Sequence, residues 1–349
     1  MRIREKGFSI IELMVAMAVF VLAIAAASNV FLAVLTQFKQ QTKIAESGME
    51  DIIGLEILRR DIEHAGYGLP YNIPAGVVYA EAGDGYDDAP NNPPRAVVDG
   101  ALANGSDYLV IKAVNVAGND VAQNWTHLDQ NGVKLNGLSG QVFNDSDRVI
   151  VINPGTSLAN LRTLVVNGAA FGTLYGITGA FVPSGPAENI IYGIDPANIR
   201  MPFNRADYFI SAANVPSRCA PGTGVLVKGE VSQVNGSMQT FPLIDCVADM
   251  QVVFQRDTNG DGAIENTTDT LAGLMAQGIR TTLKEIRVYI LAHEGQMDRN
   301  YIHGVNTVNV GETLNAVFYG RQNFDLTAIN NWTNYRWKVY SMVLRPGNL

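Results

Sequence analysis

Two successive hydrophobic patterns occupy the first 65 residues of the chain. From Leu13 to Phe38 there are 26 residues without a formal charge, mostly Ala, Val, Leu, Ile, Met and Phe. At about 1.5 Å per residue such a helix is roughly 39 Å long, whereas the hydrocarbon core of a bilayer is about 30 Å thick. Arg2, Arg4 and Lys6 precede this run. The pattern therefore predicts one membrane span with its N-terminus on the cytoplasmic side.

The second pattern, over residues 39–65, is amphipathic. Apolar residues recur mostly at three- and four-residue steps, and polar residues fill the opposite face. The apolar positions are Ile44, Ile52, Leu55, Leu58, Ile62 and Ala65. Gly48 and Gly54 weaken the pattern, each by up to about 1 kcal/mol relative to alanine. A strong stop follows at residues 66–70, Gly-Tyr-Gly-Leu-Pro. We expect this stripe to pack on a globular head, and the charged residues 59–63 to form a solvated face.

After Pro70 the pattern changes to short strand-like runs between turn clusters. The predicted strands are Tyr108–Val114, Arg148–Ile152, Leu161–Val166, Asn189–Ile194, Tyr208–Ser211, Gly224–Val234, Val247–Gln255, Lys284–Ala292 and Arg336–Leu344. Residues 81–92 are acidic and rich in Gly, Pro and Asn, which indicates a surface loop. The sequence thus predicts an α+β fold, in which a long N-terminal membrane-spanning helix packs on a β-rich globular head. One head and two subdomains both fit about 280 residues.

Composition excludes several classes of protein. The chain has 349 residues, 47% hydrophobic, with a formal net charge of -8. A disordered chain and a basic nucleic-acid binder are both excluded by these values. Two cysteines are too few for a disulfide-dense scaffold or a four-cysteine zinc site. The sequence contains no Gly-x-Ser-x-Gly, His-Glu-x-x-His, Gly-rich phosphate loop or Cys-x-x-Cys, so we expect no enzymatic activity.

Three interpretations of the N-terminus compete. A cleaved secretory signal would use the small residues at 25–27, and a plain anchor would stay uncut. The third interpretation depends on Glu12, a carboxylate that opens an apolar helix. Such a group costs roughly 2.5–3.5 kcal/mol at the bilayer centre and usually has a partner. Neither of the first two interpretations supplies that partner.

The segment Lys6-Gly7-Phe8-Ser9-Ile10-Ile11-Glu12-Leu13 resembles the class III signal of type IV prepilins and pseudopilins. The resemblance implies that a prepilin peptidase in the membrane cuts between Gly7 and Phe8 and methylates Phe8. Residues 1–7 are then a leader, 8–65 the long helix with its transmembrane half at 8–38, and 66–349 the head. The resemblance also implies that Glu12, the fifth mature residue, pairs with the N-terminal ammonium of a neighbouring subunit.

Three later segments extend the resemblance. Residues 58–68 are similar to the helix exit of PilW-type minor pilins, and residues 241–252 to a segment that these share with J-type minor pseudopilins. Residues 335–341 are similar to their closing strand. The family implies a pilin-like structural subunit that primes a type IV pilus or caps its tip. The alternatives left open are a J-type pseudopilin of a type II secretion system and a membrane-tethered binding protein.

The same resemblance implies partners and location. The partners are other minor and major pilins, the prepilin peptidase, the inner-membrane assembly platform and a tip adhesin. The subunit starts in the inner membrane with its N-terminus in the cytoplasm. It then moves to the pilus tip, so that the head is periplasmic and finally at the cell surface.

Cys219 and Cys246 both lie in the exported head, where disulfides form and persist. A bridge would close a loop of about 28 residues and contribute roughly 3–4 kcal/mol in the chain-entropy model. Two buried free thiols are the alternative.

A calcium site is predicted at residues 257–265, where the spacing Asp-x-Asn-x-Asp-Gly matches the opening half of an EF-hand-type loop. The glycine at position 262 permits the turn that brings a backbone carbonyl inward. The predicted ligands are Asp257, Asn259, Asp261, Ala263 and Glu265, with Asp269 in place of the missing twelfth-position glutamate. A polar hairpin turn is the alternative.

Overall fold

The structure is a computed structural model that describes residues 9–135, 142–157 and 160–349, except for the side chains of residues 46 and 47. Helix α1, Ile10–Glu63, contains 54 residues. The predicted stop follows it directly, because Gly66 and Gly68 adopt positive φ angles of 83° and 67°. Side chains rarely adopt this left-handed backbone, so glycine suits both positions.

The rest of the described chain forms sixteen strands and one further α-helix. The strands are β1 Val97–Ala101, β2 Asp107–Ala113, β3 Trp125–Leu128, β4 Lys134–Leu135, β5 Arg148–Asn153, β6 Thr163–Leu164, β7 Gly172–Leu174, β8 Asn189–Asp195, β9 Asn204–Ser211, β10 Gly224–Val231, β11 Met238–Arg256, β12 Asn266–Thr268, β13 Leu283–Glu294, β14 Thr307–Leu314, β15 Val317–Asp325 and β16 Arg336–Leu344. Helix α2, Ala276–Thr282, precedes β13. Short 3-10 helices cover Val114–Val116, Val121–Gln123, Tyr175–Ile177, Gly179–Phe181, Leu326–Ala328 and Trp332–Asn334.

The strands form three antiparallel sheets. The main sheet has the order β1-β2-β9-β10-β11-β13-β16, and β12 pairs with β11. A second sheet has the order β4-β3-β8-β5-β6, with β7 paired to β5. Strands β14 and β15 form a separate hairpin. This arrangement confirms the predicted α+β fold of a long N-terminal helix followed by a β-rich head.

The main sheet lies between α1 and the β14–β15 hairpin. Alternate residues of a strand point to opposite faces, and β13 follows this rule. Ile290 belongs to the apolar cluster that contains Leu58 and Ile62 of α1. Leu291, one residue later, belongs to the cluster that contains Val310 of the hairpin. The second half of α1 therefore packs on one face of the sheet through Leu58 and Ile62, as the amphipathic stripe predicts, whereas Ile52 of that stripe is 64% exposed.

The acidic segment 81–92 is an irregular loop with half of its residues exposed, as its composition indicates, but two of its carboxylates are buried. Glu81 is 3% exposed and Asp88 is 6% exposed. The Nζ of the buried Lys112 on β2 lies 2.6 Å from Glu81 and 2.7 Å from Asp88. Arg205 on β9 is also buried and pairs with Asp84, Asp87 and Asp207. The surface-loop prediction thus fails only for Glu81 and Asp88, because two interior cations hold the segment against the main sheet.

Candidate functional site

The first half of α1 is an apolar helix that the head does not cover. Ile10 is 79% exposed, Phe20 is 66% exposed and Phe38 is 66% exposed. Leu58, by contrast, is fully buried. Within the described part of the chain, α1 is the helix whose length and apolar composition suit a membrane span. Burial of such a surface requires lipid or the helices of other subunits.

Glu12 lies in the first turn of this exposed half. Its Oε2 accepts a hydrogen bond from the backbone nitrogen of Ser9 at 3.0 Å, and the Ser9 hydroxyl accepts one from Ile11 N at 3.3 Å. This is a capping box, which satisfies backbone donors at the start of the helix. The pattern Ser-x-x-Glu at positions 9–12 is the sequence signature of a capping box, which the sequence-based predictions did not include. Gly7 and Phe8, the predicted processing residues, lie outside the described residues.

A close contact fixes the second half of α1 against β11. At Gly54 a Cβ atom would lie 2.2 Å from the carbonyl oxygen of Leu243 and 3.1 Å from the side chain of Ile244. Glycine is thus required for the backbones to approach this closely. Leu58 and Ile62, one and two turns further on, are completely buried in the main core.

Asp61 attaches the end of the helix to the sheet. Its carboxylate pairs with the Nζ of Lys228 on β10 at 2.7 Å and accepts a short hydrogen bond from the Tyr208 hydroxyl on β9. Burial and the adjacent carboxylate raise the pKa of Tyr208 well above its usual value. Asp61 is only 6% exposed, so the expectation of a solvated face at residues 59–63 was wrong for this residue. Arg59 and Glu63, which pair at 2.9 Å, do remain exposed.

Asp51 forms a second buried attachment, ten residues before Asp61 and well beyond the apolar run. Its Oδ2 accepts a hydrogen bond from the Tyr340 hydroxyl of β16 at 2.8 Å. Burial raises the pKa of Asp51 to about 6, and the bond from Tyr340 opposes this shift. Next to it, Arg218 bridges Glu50 at 2.8 Å and Asp245 of β11 at 2.7 Å. Polar contacts to three strands therefore hold this half of the helix at a fixed position.

Comparison with known proteins bears on the exposed half. Residues 2–28 match the family model of the prokaryotic N-terminal methylation motif. The match spans the basic residues before Gly7, that glycine, Glu12 and the first part of the apolar helix. The chain therefore carries a prepilin-type methylation motif at its N-terminus. No curated protein and no solved structure matches the chain.

The motif agrees with the geometry of α1. The exposed apolar helix that follows the motif is of the kind that anchors a chain in the inner membrane.

The two cysteines of the chain meet at a bulge in β11. Cys219 and Cys246 form a disulfide. The pairing of β10 with β11 shifts register here, and Cys246 has a positive φ of 59°. A bulge re-aims side chains, and this one turns Asp245 toward Arg218 while Cys246 meets Cys219. The disulfide thus lies beside the polar contacts of Glu50 and Asp51.

His293, at the end of β13, is buried beside this disulfide. Its Nε2 accepts a hydrogen bond from the backbone nitrogen of Ala220 at 2.9 Å. Burial lowers its pKa to about 4, so the ring is neutral at neutral pH. Its nearest aromatic neighbour is Tyr335, with 4.3 Å between ring centroids. This environment is that of a core histidine, and the position in the sequence, near a turn, gave no sign of it.

The loop after β11 gathers three of the predicted calcium ligands. Oxygen atoms of Asp257, Asp261 and Glu265 all lie within 4.8 Å of one another. The Asp257 oxygens accept hydrogen bonds from Gly260 N at 2.6 Å and Gly262 N at 3.0 Å. These bonds also suit a polar turn, so the arrangement is compatible with both predicted alternatives.

The other predicted ligands are placed differently. Asn259 Oδ1 accepts from the backbone nitrogen of Asp261 at 2.9 Å, and the nitrogen of Ala263 donates to Asp261 at 2.8 Å. Asp269 accepts a hydrogen bond from Gly320 N of the hairpin at 3.1 Å. Asp269 thus binds the β14–β15 hairpin and is not part of the three-carboxylate group.

Proposed function

We propose that this chain is a PilW-like minor pilin, which primes the assembly of a type IV pilus or caps its tip. The proposal rests first on the division of α1 into two halves. One half is apolar, exposed and marked by a single carboxylate, and the other is locked into the head. A subunit built in this way inserts its free half among the helices of its neighbours while the head remains outside.

The size of the head supports a minor role. Residues 66–349 carry two sheets of eight and six strands and a further hairpin. Such a head is bulky relative to the single helix that it would contribute to a filament core. We infer that it suits a position at the filament end, where it does not have to repeat along the axis.

Processing tests the N-terminal part of the proposal. We expect cleavage between Gly7 and Phe8 and methylation of Phe8 in cells that carry a prepilin peptidase. The intact mass of the purified protein measures both events at once. A mature chain that starts near residue 28, or an uncut Met1, would contradict the pilin interpretation.

Assembly tests the role of Glu12, and the capping box permits a sharp design. Glu12→Gln keeps a side chain that can cap the helix but removes the charge, whereas Ser9→Ala weakens the cap but keeps the carboxylate. Glu12→Val removes both. If Glu12 pairs with the ammonium of a neighbouring subunit, both Glu12 variants should lose co-purification with the other minor pilins, and Ser9→Ala should retain it.

Membrane insertion is the control for these variants. All three should fractionate with the membrane, because loss of the Glu12 charge lowers the cost of insertion and Ser9→Ala leaves the apolar run unchanged. Normal co-purification of Glu12→Gln would show that the charge is not needed and would refute the pairing. Co-purification with secretion-system pseudopilins in place of pilus subunits would favour the J-type alternative.

A further inference from the structure

A rigid loop, residues 298–305, forms the lower edge of the head. The backbone nitrogens of Asp298 and His303 donate to the carbonyls of Asn334 and Thr333 at 2.9 and 2.7 Å. The Asn334 amide in turn donates to the carbonyl of Tyr301 at 3.0 Å.

The side chain of Arg336 adds two more contacts. Its guanidinium lies 4.2 Å from the centre of the Tyr301 ring and 2.9 Å from Asp298. The loop is therefore held in one conformation by the segment that leads into β16.

This 298–305 loop lies beside α1 where the apolar run ends. A groove of about 440 Å³ is lined on one side by helix residues between Leu32 and Ile44, and on the other by Asp298, Asn300 and Arg336. At Gly295, just before the loop, a Cβ atom would lie 3.0 Å from the side chain of Ile44. If the hydrocarbon core starts at Leu13, its thickness of about 30 Å accounts for roughly 20 residues. Leu32 then lies at the outer boundary of the hydrocarbon.

The 298–305 loop, whose Asp298 and Asn300 line this groove, also displays exposed apolar side chains. Ile302 is 78% exposed and Val305 is 56% exposed. The half-buried rings of Tyr301 and Trp332 flank His303. Arg299 and Lys39 are exposed cations, and each lies in a segment that lines the groove, Arg299 in the loop and Lys39 in α1. Apolar tips, aromatic rings and cations together are typical of protein surfaces in the head-group region of a membrane.

We infer that the 298–305 loop inserts Ile302 into the outer boundary of the membrane that α1 spans, so that the unassembled subunit touches the bilayer at two places. The occupant of this surface is lipid, with anionic head groups opposite Arg299 and Lys39. The groove between loop and helix then faces the head-group layer. A second contact fixes the tilt and rotation of the head above the membrane. The inference rests on the membrane span and not on the proposed pilus role.

The test uses a spin label on the full chain. Both cysteines of the chain are in the disulfide, so one introduced cysteine is the only reactive thiol. Ile302→Cys is the test position and Phe31→Cys, in the apolar run, the membrane reference. Val234→Cys is the matched control, because it is 65% exposed in the turn after β10, the strand that pairs with Asp61. Each labelled protein is placed in vesicles of phosphatidylethanolamine and phosphatidylglycerol, and collision with oxygen and with a water-soluble nickel complex is measured.

We expect the label at 302 to lose most of its collisions with the nickel complex and to gain collisions with oxygen, as the label at 31 does. The label at 234 should behave as in water. Equal accessibility at 302 and 234 would overturn the inference, and so would a label at 302 that becomes protected only after partner pilins are added. Water accessibility at 31 would remove the span on which the inference depends. The pilus role stands apart, because co-purification of the Glu12 variants tests it.

Discussion

Replacing glycine by alanine is expected to have opposite effects on stability at the two glycines in the second half of α1. At Gly54 an added Cβ would lie 2.2 Å from the carbonyl oxygen of Leu243, whereas at Gly48 nothing lies within 4 Å. From sequence alone the two positions are equivalent weaknesses of a helix. Gly48→Ala and Gly54→Ala are therefore a matched pair, in which the helix propensity gained is the same and the contact with the head differs.

The magnitudes follow from these contacts. Alanine gains about 1 kcal/mol over glycine within a helix, and Gly48→Ala should realise most of it. Gly54→Ala gains the same amount, but the obstacle is a backbone carbonyl that cannot rotate away. The helix has to withdraw by about 1 Å, which disturbs the packing of Leu58 on the sheet. Overpacking costs about 1–3 kcal/mol, and a clash with the backbone belongs in the upper half of this range. Subtracting the gain of about 1 kcal/mol in helix propensity leaves an expected net loss of about 1–2 kcal/mol for Gly54→Ala.

Thermal unfolding of the full chain in detergent, followed by near-ultraviolet circular dichroism, measures both variants. For a large domain, 1 kcal/mol changes the melting temperature by about 2–4 °C. Gly54→Ala should thus melt roughly 2–8 °C below the wild type, and Gly48→Ala slightly above it. If Gly54→Ala stabilises the protein as much as Gly48→Ala does, α1 does not approach β11 closely, and the reasoning about the fixed half of the helix fails.

Three further predictions concern charged groups. Burial raises the pKa of Asp51 from 3.8 to about 6, so the stabilising contribution of this group is complete below pH 3.8 and is lost as pH rises through about 6. We therefore expect the melting temperature of the wild type to fall over this pH range, and Asp51→Asn should make that fall smaller. Lys112→Met leaves two buried carboxylates without their shared cation and should cost about 3–5 kcal/mol in denaturant unfolding. In the same assay Lys338→Met, which removes an exposed pair, should cost less than about 1 kcal/mol. If the loop after β11 binds calcium, about millimolar calcium should raise the melting temperature of the wild type, and Asp257→Ala and Asp261→Ala should each abolish that rise. If calcium does not raise the melting temperature of the wild type, the loop is a polar turn and not a calcium site.

Hydrophobic periodicity located the elements that have one buried face. Strand β16 was predicted with its observed bounds, Arg336–Leu344, and β13 was predicted to within two residues at each end. The β14–β15 hairpin was missed. Most of its residues are exposed or half-buried, and Val310 is the fully buried one, so its strands lack the alternation that reveals a strand in sequence. The first half of β11 was missed for the same reason.

Charged residues were harder to interpret, because their partners are distant in the chain. Asp61 pairs with Lys228, 167 residues later, and Glu81 pairs with Lys112 on a strand of the main sheet. Composition assigns an isolated charge to the surface by default, since buried charges are rare without a partner. Short-range patterns fared better. The helix exit at 66–70 depends on residues a few positions apart, and the structure places it where it was expected.

The carboxylates of α1 show how one helix can serve two environments. Asp61 has a cation, Lys228, within the same molecule, and Asp51 has the Tyr340 hydroxyl together with a raised pKa. Each is thus compatible with burial in the finished head. Glu12 differs, because among the residues that the structure describes it binds only the backbone of Ser9 and faces no basic side chain. The described residues place no cation beside it in this uncovered apolar helix, and a neighbouring subunit is the source of the cation in the pairing hypothesis. That asymmetry makes Glu12 the residue through which assembly would act on this chain, and it gives the comparison of Glu12→Gln with Ser9→Ala its power.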